Sequence, residues 1–470
     1  MILKKFVCTL LAMLMFLGCS ASALAAFDPE TSELSTKYVV LMEANSGAIL
    51  YEKNADETAY PASTTKIMTA IVALENGDLE QEVTVGEEVW RGFGEKSSLM
   101  GLSEGETVTL RDLLYGLMLV SGNDAAAAIA VHIGGSISGF ADMMNAKAAA
   151  IGMTGSHFVN PHGVHKEDAH NTVTARDMAV LTRYCLTQSP KSQDFRAIVK
   201  RGSYDVAATN RNSSGYHLEN SNKLVYTRES NKDKESFEYS GAIGVKTGDT
   251  NAAKRCLVAA AERDTITLVA VLLYDEDNDN RFRVAADLFD YGFSNCATLS
   301  AQDLGLPATA EVVVKNCSFD DAQGGMLELS VDLSGKQITG LKSRLEQIKN
   351  DVSNISTTVT TNGELTAPVE EGASVATVAY QYNGETLFTA DAYATRSVMA
   401  MSGGVVTTPD GANDLMEANM RSTNPGSPWL FWILVIVAIL IIIFIIRLLL
   451  LRRRSRRRRS RRSYVYRGRR

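Results

Sequence analysis

The 470-residue sequence predicts an α/β body of the α+β kind, an antiparallel sheet flanked by helices, then a small β-rich domain and one C-terminal transmembrane helix. Three observations carry this expectation. A front hairpin and a cluster of apolar strand-like runs near residues 243–274 enclose a stretch with helical periodicity. From about Cys296 the texture changes to short Val- and Thr-rich runs with glycine turns. Trp429 to Ile446 is an uncharged apolar run of 18 residues, enough to cross a bilayer.

In chain order, MILKKFVCTLLAMLMFLGCSASALA (1–25) reads as a signal peptide. Lys4 and Lys5 form its charged start, Phe6 to Leu17 its apolar region and Ala23-Leu24-Ala25 a small-residue cleavage site. KYVVLMEANSGAILYEKN predicts two strands around an Asn45-Ser46-Gly47 turn. A helix begins near Ser63 and ends at Gly77, and two helical patterns between Thr109 and Gly134 flank a break at Ser121-Gly122-Asn123. Ala175 to Thr187 predicts another helix. Strands follow around Ile243 to Thr247, RCLVAAA and ITLVAVLLY, with a helix from about Arg281 to Phe289. This body occupies residues 27–294 and the β-rich domain 295–397. In the latter, Leu341, Leu345, Ile348, Val352 and Ile355 alternate spacings of four and three, predicting an amphipathic helix inserted among strands.

Residues 398–428, rich in Gly, Pro, Thr and Asn, read as a linker to a membrane helix at 429–451 and an Arg-rich tail at 452–470. Thirteen Arg and no acid follow from Arg447 onward, which by the positive-inside rule puts the tail in the cytoplasm and the body outside a cytoplasmic membrane, with lipid contact through the helix and tail. Without the 15 basic residues of the two ends, 32 Lys and Arg face 54 Asp and Glu, a net charge of −22. So acidic a body argues against nucleic-acid binding. The cysteines expected in the mature chain, Cys185, Cys256, Cys296 and Cys317, match no metal pattern. Cys256 lies in an apolar run that suits a buried free thiol, and no cofactor is expected.

Three short motifs carry chemistry. Ser63-Thr64-Thr65-Lys66 places a hydroxyl and an amine three residues apart at a helix start, within hydrogen-bonding reach. A serine is a weak nucleophile until a neighbour takes its proton, and a desolvated lysine can do so. S-x-x-K alone arises about once or twice by chance in a chain of this length. Ser121-Gly122-Asn123 sits at a helix break, where a hydroxyl and an amide can face a cleft, although the same residues favour plain turns. Lys246-Thr247-Gly248 ends an apolar strand and suits an anionic substrate end; an ordinary strand end is the alternative. In this order the three form the set found in β-lactamases and penicillin-binding proteins.

With these motifs the sequence resembles the D-alanyl-D-alanine carboxypeptidases, the low-molecular-weight penicillin-binding proteins. The likeness extends to Phe158-Val159-Asn160-Pro161-His162-Gly163, Thr174 to Ala179, Asn220 to Leu224 and Leu365 to Val369. The resemblance implies a β-lactamase/transpeptidase-like catalytic domain with an all-helical subdomain. It implies hydrolysis of the terminal D-alanine from peptidoglycan stem pentapeptides and covalent inhibition by β-lactams. It also implies roles: Ser63 as nucleophile, Lys66 as base, Ser121 as proton relay, and Asn123 on the substrate amide. Lys246, Thr247 and Gly248 would face the terminal carboxylate, and the backbone N–H groups of Ser63 and Asp249 would hold the oxyanion. Arg281 and His162 match family positions near the cleft; a solvated arginine and a loop histidine are the alternatives. Asp177 matches one too, with helix capping as its alternative. Asp249 departs from the family pattern by putting an acid beside the carboxylate site.

Two other readings stand beside this one. A serine β-lactamase would share fold and motifs, and Glu167 with Asn171 has the spacing of a deacylating pair, although HKEDAHNTVTARDMA around them fits the carboxypeptidase pattern better. A non-catalytic penicillin sensor or wall-binding protein would use the same cleft, but a 19-residue tail leaves no room for an effector domain.

Overall fold

A computed structural model describes residues 27–401, except 91–92, 94–96, 166–168, 229 and 231–234. The proposed signal peptide, membrane helix and Arg tail, most of the linker, and Glu167 lie outside the described residues. Among the described residues no single helix is long and apolar enough to cross a membrane.

The front hairpin forms as β1 (Tyr38–Glu43) and β2 (Ile49–Lys53), paired antiparallel. The chain then turns through a short 3-10 helix, Ala62–Thr65, into α1 (Lys66–Asn76), which ends at Gly77. A small ribbon of β3 (Glu82–Thr84) and β4 (Thr107–Thr109) precedes α2 (Leu110–Met118), α3 (Asn123–Gly134) and α4 (Ile137–Ala150). Thr109 caps α2 in a full capping box with Asp112, which satisfies two otherwise orphaned amides. Then come α5 (Ala175–Arg183), continued by one π turn to Gln188, α6 (Ser192–Val199), and a ribbon of β5 (Ser203–Val206) and β6 (Tyr216–Glu219).

The late strands β7 (Ala242–Thr250), β8 (Lys254–Arg263) and β9 (Ile266–Asp275) join the front hairpin in one five-stranded antiparallel sheet, ordered β2-β1-β9-β8-β7. Both faces are buried. Val40 and Met42 of β1, with Val258 and Val271 of the neighbouring strands, pack on the helical side. Their neighbours Val39, Leu41, Leu257 and Leu272 pack against Phe282, Leu288 and Phe289 of α7 (Asn280–Asn295). Period-two alternation with apolar residues on both sides gives the unbroken apolar runs that marked these strands in the sequence.

The β-rich domain has its own core. Its main sheet is ordered β11-β12-β16-β15-β14, built from β11 (Thr309–Val313), β12 (Met326–Val331), β14 (Ile355–Thr361), β15 (Ser374–Tyr382) and β16 (Glu385–Ala394). A ribbon of β10 (Cys296–Ser300) and β13 (Gln337–Leu341) stands apart. Here two expectations are corrected. The stripe from Leu341 to Ile355 is not one helix: α8 covers only Lys342–Asn350, burying Leu345 and Ile348, while Leu341 ends β13 and Ile355 opens β14. A strand end, a two-turn helix and a strand start can place apolar residues at helical spacing by coincidence. The linker also begins later than 398, because Val398 is fully buried and bridges Val369, and Ala400 bridges Cys317.

Candidate active site

Ser63 lies on the 3-10 turn and Lys66 opens α1, a geometry that eclipses residues three apart. Lys66 Nζ lies 3.0 Å from Ser63 Oγ, 2.6 Å from Asn123 Oδ1 and 2.8 Å from the carbonyl oxygen of His162. The two amide oxygens can only accept, whereas the serine hydroxyl can donate. An ammonium donates to all three, whereas a neutral amine keeps two N–H donors for Asn123 and His162 and leaves a lone pair that can accept the Ser63 proton. The electrostatics favour the neutral form. Lys66 is fully buried, and burial followed by repulsion from Lys246 pushes its pKa well below the usual lysine value, with only Asp124 opposing.

The backbone around these groups is fixed by packing. Ala62 and Ser121 adopt left-handed φ of 46° and 64°, strained values for residues with a side chain. Ser121 is held at the α2–α3 break, where the Asn123 amide donates to the Ser98 carbonyl and the Gly122 amide to the Gly116 carbonyl. Asp124, just after the motif, anchors the facing loop by accepting from the amides of Met100, Gly101 and Leu102 at 2.8–3.0 Å. Opposite, β7 carries Lys246, Thr247 and Gly248 against the Ser63 turn. A Cβ at Gly248 would lie 3.0 Å from the Pro61 carbonyl oxygen, so glycine permits this close approach.

Ser63, Ser121, Thr247, Gly248, Asp249 and Arg281 line one cavity of about 190 Å³. Lys246 is buried beside it, with a pKa lowered to about 7 by burial and then by the charges of Arg281 and Arg228. Arg281, far from a solvated side chain, is only 6 % exposed, and its Nη1 donates to the carbonyls of Gly248 (2.8 Å) and Cys256 (3.0 Å). Asp249 is exposed and paired with Arg255 at 2.9 Å, which offsets its charge at the cavity mouth.

The match is decisive at this point: the family model described as D-alanyl-D-alanine carboxypeptidase covers residues 25–277, more than half of the chain. The chain belongs to that family. A second model, for the C-terminal domain of penicillin-binding protein 5, matches residues 343–400. Among the relatives of this carboxypeptidase is D-alanyl-D-alanine carboxypeptidase DacF of Bacillus subtilis, 30% identical over 82% of this chain and 92% of its own length. D-alanyl-D-alanine carboxypeptidase DacC of Escherichia coli is 29% identical over 79% and 86%. The solved penicillin-binding protein 5 of Haemophilus influenzae superposes with a TM-score of 0.58 at 28% identity, covering 80% of this chain and all of that one.

Other sequence-predicted positions of the carboxypeptidase fall differently. The His162 side chain does not line the Ser63 cavity: its ring packs edge-on to Phe93 and its Nδ1 accepts from the Val164 amide, so only its carbonyl reaches Lys66. Asp177 accepts from Gly155 N and Ser156 Oγ at the start of α5, a structural anchor. Asn171 accepts from the amides of Val159 and Asn160 and donates to Thr65, bracing the loop beside the Ser63 turn. Sequence reasoning missed Ser98, Ser221 and Arg228 as cavity-lining residues. Ser221 Oγ lies 2.8 Å from Thr247 Oγ1, and its place within the family-like Asn220–Leu224 stretch was the one available signal. Cys185, Cys256, Cys296 and Cys317 are all free thiols, and burial pushes the Cys256 thiol up to about 11.

Proposed function

We propose that this serine carboxypeptidase removes the terminal D-alanine of peptidoglycan stem pentapeptides through an acyl-enzyme on Ser63. The observation that carries the residue assignment is the three-way setting of Lys66, which suits a neutral amine aimed at the Ser63 hydroxyl. Lys66 takes the Ser63 proton as Oγ attacks the carbonyl carbon of the penultimate D-alanine. The oxyanion forms against the backbone N–H groups of Ser63 and Asp249. Ser121 relays the proton from Lys66 to the leaving amine, the C–N bond breaks, and D-alanine departs. Water then hydrolyses the ester. Asn123 holds the substrate amide, while Thr247 and Arg281 of the cavity lining, with Lys246 buried beside it, serve the terminal carboxylate. β-Lactams, which also present a strained amide and a carboxylate, acylate the same serine.

The same reading places the enzyme outside a bacterial cytoplasmic membrane, anchored by the 429–451 helix with the Arg tail inside. Its support is the 18-residue apolar run followed by thirteen Arg without an acid. The deciding experiment is D-alanine release from a diacylated Lys-D-Ala-D-Ala peptide. Wild type releases it and Ser63→Ala does not, while equal release by both sinks the assignment.

A further inference from the structure

Arg228 belongs to none of the three motifs, yet its side chain lines the Ser63 cavity together with Ser221, Thr247 and Arg281. It is anchored from behind. Its Nε donates to the Asn220 carbonyl at 3.1 Å and its Nη2 to the Glu219 carbonyl at 2.9 Å, which leaves Nη1 with no protein partner among the described residues. Two more cations stand nearby, Arg281 in the same lining and Lys246 buried beside it. Lys246 Nζ donates to the Thr247 carbonyl, and Arg281 spends Nη1 on two carbonyls and Nη2 on Asn278 Oδ1. Two cations, Arg228 and Arg281, thus line the cavity, and the one acid in that lining, Asp249, is paired with Arg255. Beside them Lys246 is lowered to about 7, first by burial and then by repulsion from Arg281 and Arg228, and an anion bound here would relieve that repulsion.

We infer that Arg228 is a substrate-binding residue for the terminal carboxylate, its guanidinium held by the Glu219 and Asn220 carbonyls so that Nη1 meets the anion across the cavity from Ser63. The inference rests on the carboxypeptidase reading of the site. It adds a ligand for the substrate from the segment between β6 and β7, outside the three motifs. A guanidinium held at two points loses little freedom on binding, and its remaining donors suit a carboxylate oxygen.

The test uses the full chain and two peptides, diacylated Lys-D-Ala-D-Ala and its C-terminal amide, with release followed by mass spectrometry. Arg228→Gln should raise KM for the acid by about 10- to 100-fold with kcat nearly unchanged. For the amide, which has no charge to meet, kcat/KM should stay at the wild-type value. Arg228→Lys should recover part of the lost affinity for the acid, and both variants should melt where wild type does. An equal loss on acid and amide means that Arg228 only braces Ser221, and overturns the inference; so does an unchanged KM for the acid. Failure of wild type to release D-alanine, or release by Ser63→Ala, overturns the underlying reading instead and is read from different samples.

Discussion

Lys66 and Lys246 are one residue type put to opposite uses. In the proposed mechanism Lys66 is the base and must be neutral, and burial with repulsion from Lys246 holds its pKa well below the usual value. In the same proposal Lys246 meets the substrate carboxylate and must be charged, yet burial, then Arg281 and Arg228, bring it to about 7. The sign follows for catalysis. Below about 7 Lys246 carries its proton and attracts the carboxylate; above it the charge is lost from the free enzyme. With those roles, kcat/KM should fall on the acid side as Lys66 gains its proton and on the alkaline side as Lys246 loses its own. Lys246→Arg should keep measurable activity and shift the alkaline limb to higher pH, because arginine does not titrate in this range. A limb that stays in place would assign it to another group.

At the scale of elements, Ser63 and Lys66 depend on a loop that carries none of the proposed reacting atoms. Gly163 has φ +81°, and a Cβ there would lie 1.8 Å from the Ala62 carbonyl oxygen, inside van der Waals contact. Gly163→Ala should therefore cost at least about 1–3 kcal/mol of stability, from the backbone conformation alone. It should also slow penicillin acylation, because it displaces the His162 carbonyl that positions Lys66. Urea unfolding and acylation kinetics on one sample check both effects. Elements such as β1, β8 and β9 were legible in the sequence because their apolar runs are long and bounded by turns. The 341–355 segment was misread because periodicity there was matched by three short elements in succession. The three motifs were legible because chemistry fixes their spacing. Arg228 was not, since what brings it to Thr247 is the path of the chain between β6 and β7, which leaves no local pattern.

For the whole molecule, the catalytic body and the β-rich domain have separate cores. A chain ending at Ala400 should hydrolyse the soluble peptide with the kcat/KM of the full chain, and under the proposed anchoring it should stay in the supernatant while the full chain pellets with membranes. Activity that fell with truncation would implicate the segment beyond Met401 in the chemistry. One further consequence lies in the sheet order, where β7 is an outermost strand with no further strand beyond it among the described residues. An outermost strand offers unpaired amides and carbonyls at ladder spacing, which an extended peptide can complete. Since β7 also carries Lys246, Thr247 and Gly248, a stem peptide laid along it would be read by its main-chain direction and by the handedness of its α-carbons. Affinity gained that way is largely blind to side-chain identity, so the enzyme should tolerate varied residues upstream of the D-alanines while rejecting an L-residue at the cut.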